Sequence, residues 1–296
     1  MKTKGILLIA LGHSNYFRMA VNLAATIKAG NKDISISVVV VDGKTYFKEE
    51  AEKQLFDSII TAPVECYTNN YKDNKIEYIR SKTYIYDLSP YNKTIFLDVD
   101  IAILPNRDLN TVFDELKDYE FVMSTYGGAF DTSKEKAVSF WIDTDKAQEV
   151  YGVKGKTWFD YHSEFMYFKK GKNIKKYFDK VKKIFANPKM ESIGFAGAAM
   201  SDEIAFTVAS MQLEFYSALT KYVPVFWYRR EKGKDKSLRP YEMKNFIAYS
   251  LAGGSHPKNI ISNYQIIVEA AFYKLSLKYP YQYKNKRIYL SERKLG

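Results

Sequence analysis

Thr94-Ile-Phe-Leu-Asp-Val-Asp-Ile-Ala-Ile-Leu104 places two carboxylates inside an otherwise apolar run. An unpaired charge taken out of water costs several kcal/mol unless a partner compensates it. Thr94–Leu97 has the unbroken apolarity of a strand buried on both faces, and Asp98 and Asp100 come where that strand should emerge. One residue apart in extended chain, their side chains can converge on one divalent cation where the backbone bends. Hard oxygen ligands of this kind suit Mg²⁺ or Mn²⁺, ions that commonly carry a diphosphate. The tripeptide alone also fits a strand-end pair capping a turn at Pro105-Asn106. Its apolar setting favours the metal reading, because capping carboxylates usually lie among polar residues.

Outward from this run, strands and helices alternate. Gly5–Leu11 and Ile34–Val41 read as buried strands, and Asn15–Lys28 has apolar residues at helical spacing before Gly30, an expected C-cap. Tyr46–Phe56 reads as an amphipathic helix, Val64–Tyr67 as a short strand and Lys75–Leu88 as a helix closed by Ser89-Pro90. Further on, the spacing predicts strands over Phe121–Thr125, ahead of a Gly127-Gly128 loop, over Phe165–Phe168 and over 222–228. Helices are predicted over Asn173–Phe185, Asp202–Phe215 with Ser201 as N-cap, and Ile260–Tyr279. Alternation of this kind implies an α/β fold: a mainly parallel central sheet flanked by helices, with right-handed crossovers. No repeat or low-complexity linker divides residues 1–296, so a single domain with a basic helical C-terminal part is expected. Ligands of open α/β sheets bind beyond the carboxyl ends of the strands. The loop Leu11–Tyr16 and the exit at Asp98–Asp100 are therefore expected to face one crevice.

The 46% hydrophobic content supports a proper core. No run of about 18 apolar residues predicts a membrane span. Lys2-Thr-Lys4 and the apolar residues after it imitate a signal peptide, yet they run into His13-Ser-Asn-Tyr-Phe-Arg18 without a small-residue cleavage site and read as a first strand. One cysteine, Cys66, excludes an internal disulfide and a cysteine zinc cage and fits a reducing cytoplasm. The net charge of +11 is unevenly spread: residues 1–153 carry 18 Lys+Arg against 22 Asp+Glu, residues 154–296 carry 27 against 12. Basic runs at Lys169–Lys183, Arg229–Arg239 and Lys274–Lys294 read either as solvated faces or as a surface for a polyanion. Aromatic residues interleave with the basic ones over Tyr222–Arg239 and Tyr279–Arg287, a mixture that suits stacking on bases or sugars.

Residues 5–125 resemble the GT-A type of nucleotide-sugar glycosyltransferase and are most similar to its glycogenin-like branch. The resemblance rests on Ile6–Tyr16, on Met19-Ala-Val-Asn-Leu-Ala, and above all on Arg80-Ser-Lys-Thr-Tyr-Ile-Tyr-Asp-Leu-Ser-Pro-Tyr-Asn-Lys-Thr-Ile-Phe-Leu-Asp-Val-Asp. It implies that residues 1–125 bind the nucleotide sugar, a UDP-sugar, and residues 126–296 the acceptor. It also implies that Asp98 and Asp100 hold Mn²⁺ or Mg²⁺ on the donor diphosphate, that Lys82, with Arg80, neutralises phosphate, and that Leu11, Gly12, His13 and Tyr16 line the nucleotide. In Gly253-Gly-Ser-His-Pro-Lys258 the resemblance implies a third metal ligand, His256, and a phosphate contact, Lys258. Positive charge at those positions meets the negative charge that grows on a leaving diphosphate. Two departures stand out: the family's mid-chain Asn-Ser-Gly is His162-Ser163-Glu164 here, and its Asp-Gln helix start is Ser201-Asp202-Glu203. Asp202, Glu203 and Glu164 are thus candidate general bases for an acceptor hydroxyl, while charge at a helix N-terminus is the plainer account of the first two.

A basic second half suits an anionic acceptor. By analogy with phage-like glycosyltransferases, that acceptor is a hydroxymethylated pyrimidine in DNA, flipped out to be reached. Transfer to a glycan, lipid carrier or protein, with the basic residues on an anionic membrane surface, is the rival; a non-catalytic nucleic-acid-binding protein is the other.

Overall fold

The computed structural model describes residues 2–69, 75–137, 139, 141–193, 198–227, 243, 245–251 and 258–278. Its elements follow the expected alternation. β1 (Lys2–Ile9) leads to α1 (Ser14–Gly30), then β2 (Ile36–Val40), β3 (Ser58–Thr61) and a small hairpin of β4 (Thr68–Asn69) and β5 (Lys75–Ile76). α2 (Ile85–Leu88) precedes β6 (Tyr91–Leu97), and β7 (Ile101–Ile103) precedes α3 (Leu109–Leu116). β8 (Phe121–Asp131), α4 (Thr144–Val150), β9 (Thr157–Lys169), α5 (Lys172–Ala186) and α6 (Asp202–Leu213) come next. β10 (Val225–Trp227), β11 (Ala248–Ser250) and α7 (Lys258–Lys274) follow. The central sheet has six strands in the order β3-β2-β1-β6-β9-β8, a mixed α/β architecture with helices around it. No helix among the described residues is long and apolar enough to cross a membrane.

The chain divides into two compact units that interleave along the sequence. Unit 1 comprises residues 1–7, 61–96 and 116–223; unit 2 comprises 8–60, 97–115 and 224–296. Unit 1 is built on β8 and β9, which pair antiparallel from Phe121↔Phe168 to Asp131↔Thr157. Register shifts between Met123 and Ser124 and between Thr125 and Ala129 absorb the extra residues, so β8 runs through Gly127-Gly128, where a loop was expected. Against β9 lie α5 and α6, joined by an aromatic core of Phe121, Tyr161, Tyr177, Phe178, Phe206 and Phe215. Its hydroxyls are paired: Tyr177 donates to the Phe206 carbonyl at 3.0 Å, and Ser210 lies 3.1 Å from both tyrosine oxygens. Burial drives the Tyr161 and Tyr177 hydroxyls well up from their ordinary values, keeping them neutral. Gly5 of β1 lies against the buried Tyr91 ring, which leaves no room for a β-carbon.

Unit 2 is held by α1, whose buried residues pack on β7 and α7. A second sheet, in the order β10-β11-β7, pairs β10 parallel and β7 antiparallel with β11. Within this unit Arg18 and Glu52 form a buried two-pronged ion pair at 2.6 and 2.7 Å, and Arg18 also donates to the Tyr46 carbonyl. Burial pushes the Glu52 carboxyl up, but the Arg18 bonds and the Lys48 amide outweigh it and hold it below 4.5.

Several expected elements differ. The Tyr46–Phe56 helix is a 3₁₀ stretch over Glu50–Leu55 only, with Phe17, Phe47 and Phe56 clustered at its edge. Lys75–Leu88 splits into β5, a 3₁₀ turn over Tyr78–Tyr84 and the single turn α2. Val64–Cys66 is a 3₁₀ turn, not a strand. The predicted strand Phe165–Phe168 is the end of the much longer β9. α1 is capped at its C-terminus by Asn31 rather than Gly30; the Asn31 side chain reaches the Arg107 carbonyl and accepts from the Leu109 amide.

Candidate functional site

Five of the charged residues in or beside the sequence motifs meet in unit 1. Three elements bring them there. α6 begins at Asp202, so Asp202 and Glu203 lie in its first turn, where acidic residues favour the helix dipole. β9 carries His162, Ser163 and Glu164 alongside, because Thr207 of α6 donates to the Phe159 carbonyl of β9 at 2.8 Å. Ser124 of β8 in turn donates to the His162 carbonyl at 2.6 Å and pins that stretch of β9. Lys82 enters from the 3₁₀ turn before α2.

The contacts are specific. The Lys82 ammonium donates to Ser163 Oγ at 3.0 Å and lies 3.7 Å from Asp202 Oδ2, with side chains 14% and 4% exposed. Glu203 Oε2 accepts from the indole N–H of Trp141 at 2.7 Å, and Oε1 accepts from the Ser163 amide at 3.3 Å. His162 Nε2 stands between two carboxylates, 3.6 Å from Glu164 Oε1 and 3.7 Å from Glu203 Oε1. Burial, and then the adjacent Asp202 carboxylate, push the Glu203 carboxyl up from 4.5 to about 8. Lys82, the Trp141 indole and the Ser163 amide pull the other way and are outweighed. A carboxylic acid protonated at neutral pH therefore sits beside an ion-paired lysine and aspartate. A carboxyl raised in this way by burial and a neighbouring carboxylate is a candidate for acid–base chemistry.

Ser201 occupies the expected N-cap of α6, but its side chain makes no cap bond. Arg80, expected near phosphate, donates to the Glu65 carbonyl at 3.0 Å and to Tyr84 Oη at 3.1 Å. Trp141 and the central position of His162 were not read from the sequence. Trp141 lies in a loop sixty-odd residues from its partner, and a tryptophan among apolar neighbours carries no motif.

The remaining candidates belong to unit 2. Asp98 and Asp100 are half-buried in the turn that follows β6, with the buried Val99 between them and β7 starting one residue later. The Leu251 amide donates to the Asp100 carbonyl at 3.0 Å and holds the turn against β11. Two half-exposed carboxylates in one turn are hard oxygen donors that fit Mg²⁺ or Mn²⁺. Among the described residues no group of three or more His, Cys, Asp or Glu is placed to hold a metal. His256 lies outside the described residues, as do the Lys258 side chain and most of the two basic aromatic tracts. At the first-strand loop Leu11 is buried, Gly12 takes φ +99°, and Tyr16 is 36% exposed. His13 caps α1, its Nδ1 accepting from the Asn15 amide at 3.1 Å.

No protein-family model matches the sequence, and comparison with curated proteins finds no match. Solved structures do match. The apo form of WbbM, a bifunctional glycosyltransferase, aligns at 13% identity and a TM-score of 0.55 over 91% of this chain and 52% of its own, so this chain spans about half of WbbM. The galactosyltransferase LgtC, in complex with donor and acceptor sugar analogues, aligns at 13% identity and a TM-score of 0.52 over 94% of this chain and 98% of its own. An active-site mutant of LgtC aligns at 12% identity with the same TM-score. At such identities the likeness establishes the fold: this chain has the α/β architecture of these glycosyltransferases.

Proposed function

We propose that this chain is a metal-dependent glycosyltransferase that moves a sugar from a nucleoside diphosphate sugar, a UDP-sugar, to a hydroxyl acceptor. The observation that carries the reading is the unit 1 cluster, where Lys82, Asp202, Glu203, His162 and Glu164 converge and Glu203 is driven up to about 8. The fold shared with LgtC and WbbM supports it. In the reaction the acceptor oxygen bonds to the anomeric carbon, the bond from that carbon to the diphosphate breaks, and the acceptor proton passes to a base. Asp202, ion-paired with Lys82, is the base on this reading. Lys82 supplies positive charge against the leaving diphosphate. Glu203, protonated at neutral pH, donates a hydrogen bond to the sugar, and Glu164 with His162 orients it. Asp98 and Asp100, with His256 as third ligand and Lys258 at phosphate, would hold the divalent cation, which when bound adds positive charge at the diphosphate. Leu11, Gly12, His13 and Tyr16 border the nucleotide.

The acceptor on this reading is a hydroxymethylated pyrimidine in DNA, supported by the excess of 27 basic over 12 acidic residues in 154–296. Incubation with Mn²⁺, a panel of nucleotide sugars and hydroxymethylated or plain DNA, followed by mass spectrometry, tests both parts. The expected product is hydroxymethylated DNA heavier by one sugar, lost with a chelator and in Asp100→Ala and Lys82→Met. No turnover of any donor would sink the enzyme reading; turnover with transfer to a glycan or peptide alone would sink the DNA acceptor.

A further inference from the structure

We infer that the outer face of α5 is a docking surface for the phosphodiester backbone of DNA. α5 divides into three faces. Ile174, Tyr177, Phe178, Val181, Ile184 and Phe185 are buried in unit 1. On one flank Lys175 pairs with Asp179 at 2.7 Å, and Lys182 with Asp87 at 2.7 Å and Asp179 at 2.9 Å. Lys172, Lys176, Lys180 and Lys183 form the remaining face and make no ion pair among the described residues. At 100° per residue these four lie within an arc of about 80°, in a row roughly 16 Å long. The one acid of the helix, Asp179, turns to Lys175 and Lys182 and leaves the row uncompensated.

A row of four ammonium groups that no described residue neutralises complements a linear polyanion. Each strand of B-DNA carries a phosphate about every 3.4 Å along the axis, so the row can meet a different phosphate at each lysine. A membrane is the poorer match. Helices that lie in a lipid surface keep an apolar face to insert, whereas every large apolar side chain of α5 faces the protein core. The lysines position the duplex and read no sequence.

The inference rests on the DNA acceptor proposed above, and one experiment separates the two. Binding of hydroxymethylated duplex DNA is measured by fluorescence anisotropy across a salt series, for the full chain and two variants with the same change of charge. One carries Lys172→Gln, Lys176→Gln, Lys180→Gln and Lys183→Gln; the control carries Lys32→Gln, Lys44→Gln, Lys48→Gln and Lys53→Gln. The row variant should bind more weakly and its log–log salt slope should be shallower by about 3 to 4, with the control unchanged and donor hydrolysis equal in all three. Equal slopes in the two variants would overturn the docking surface while leaving the DNA acceptor standing. Failure of the unaltered chain to bind DNA, with binding to phosphatidylglycerol vesicles instead, would overturn both.

Discussion

Glu203 carries the proton of the site, and its environment says why. Both oxygens already accept hydrogen bonds, yet burial beside Asp202 keeps the neutral acid favoured up to about 8. The unfolded chain releases this proton near 4.5, so between there and about 8 the folded state binds one proton more than the unfolded state. Stability therefore falls as pH rises through that window and levels off above it. Denaturant midpoints at several pH values should show the fall, on the order of a few kcal/mol. Glu203→Gln, which cannot ionise, should flatten the curve; an unchanged curve would mean that Glu203 is ionised in the folded chain.

At the scale of elements, Arg18 shows what short 3₁₀ segments depend on. The stretch Glu50–Leu55 has no side-chain cap, and the tie to α1 runs through the buried Arg18–Glu52 pair. Removing one partner of such a pair leaves an uncompensated buried charge. Arg18→Met should cost roughly 3–5 kcal/mol in urea unfolding, and the double change Arg18→Met with Glu52→Leu should recover most of it. A loss of under about 1 kcal/mol in the single variant would show the pair to be solvated. The same segment explains what the sequence hid. Apolar and charged residues of Tyr46–Phe56 are spaced three and four apart, as in a helix, and that spacing does not separate 3₁₀ from α. Long amphipathic α5 was legible because six inward residues repeat at one period. The candidate site was half legible: Lys82 stands in the recognisable motif, and Glu164, Asp202 and Glu203 stand where the chain departs from the family pattern, whereas Trp141 reaches Glu203 only through tertiary packing.

For the whole molecule, the proposed DNA acceptor and the net charge of +11 together predict a salt response. Raising salt from about 50 to 200 mM should cut transfer to DNA by orders of magnitude through weaker acceptor binding, while hydrolysis of the small donor changes little. Steady-state kinetics with each substrate varied in turn would register the difference; equal sensitivity of both would argue against an extended polyanionic acceptor.

The interleaving of the two units bears on how the chain is made. Unit 1 takes its first strand from residues 1–7 and α6 from residues 202–213, so its aromatic core lacks a wall until synthesis has passed Phe215. Until Lys169 has been made, the nascent β6 has no β9 to pair with. Unpaired strand edges held on the ribosome invite association with neighbours. For this protein the exposure of that edge thus belongs to the growing chain, before β9 and α6 are complete, and not to the finished fold.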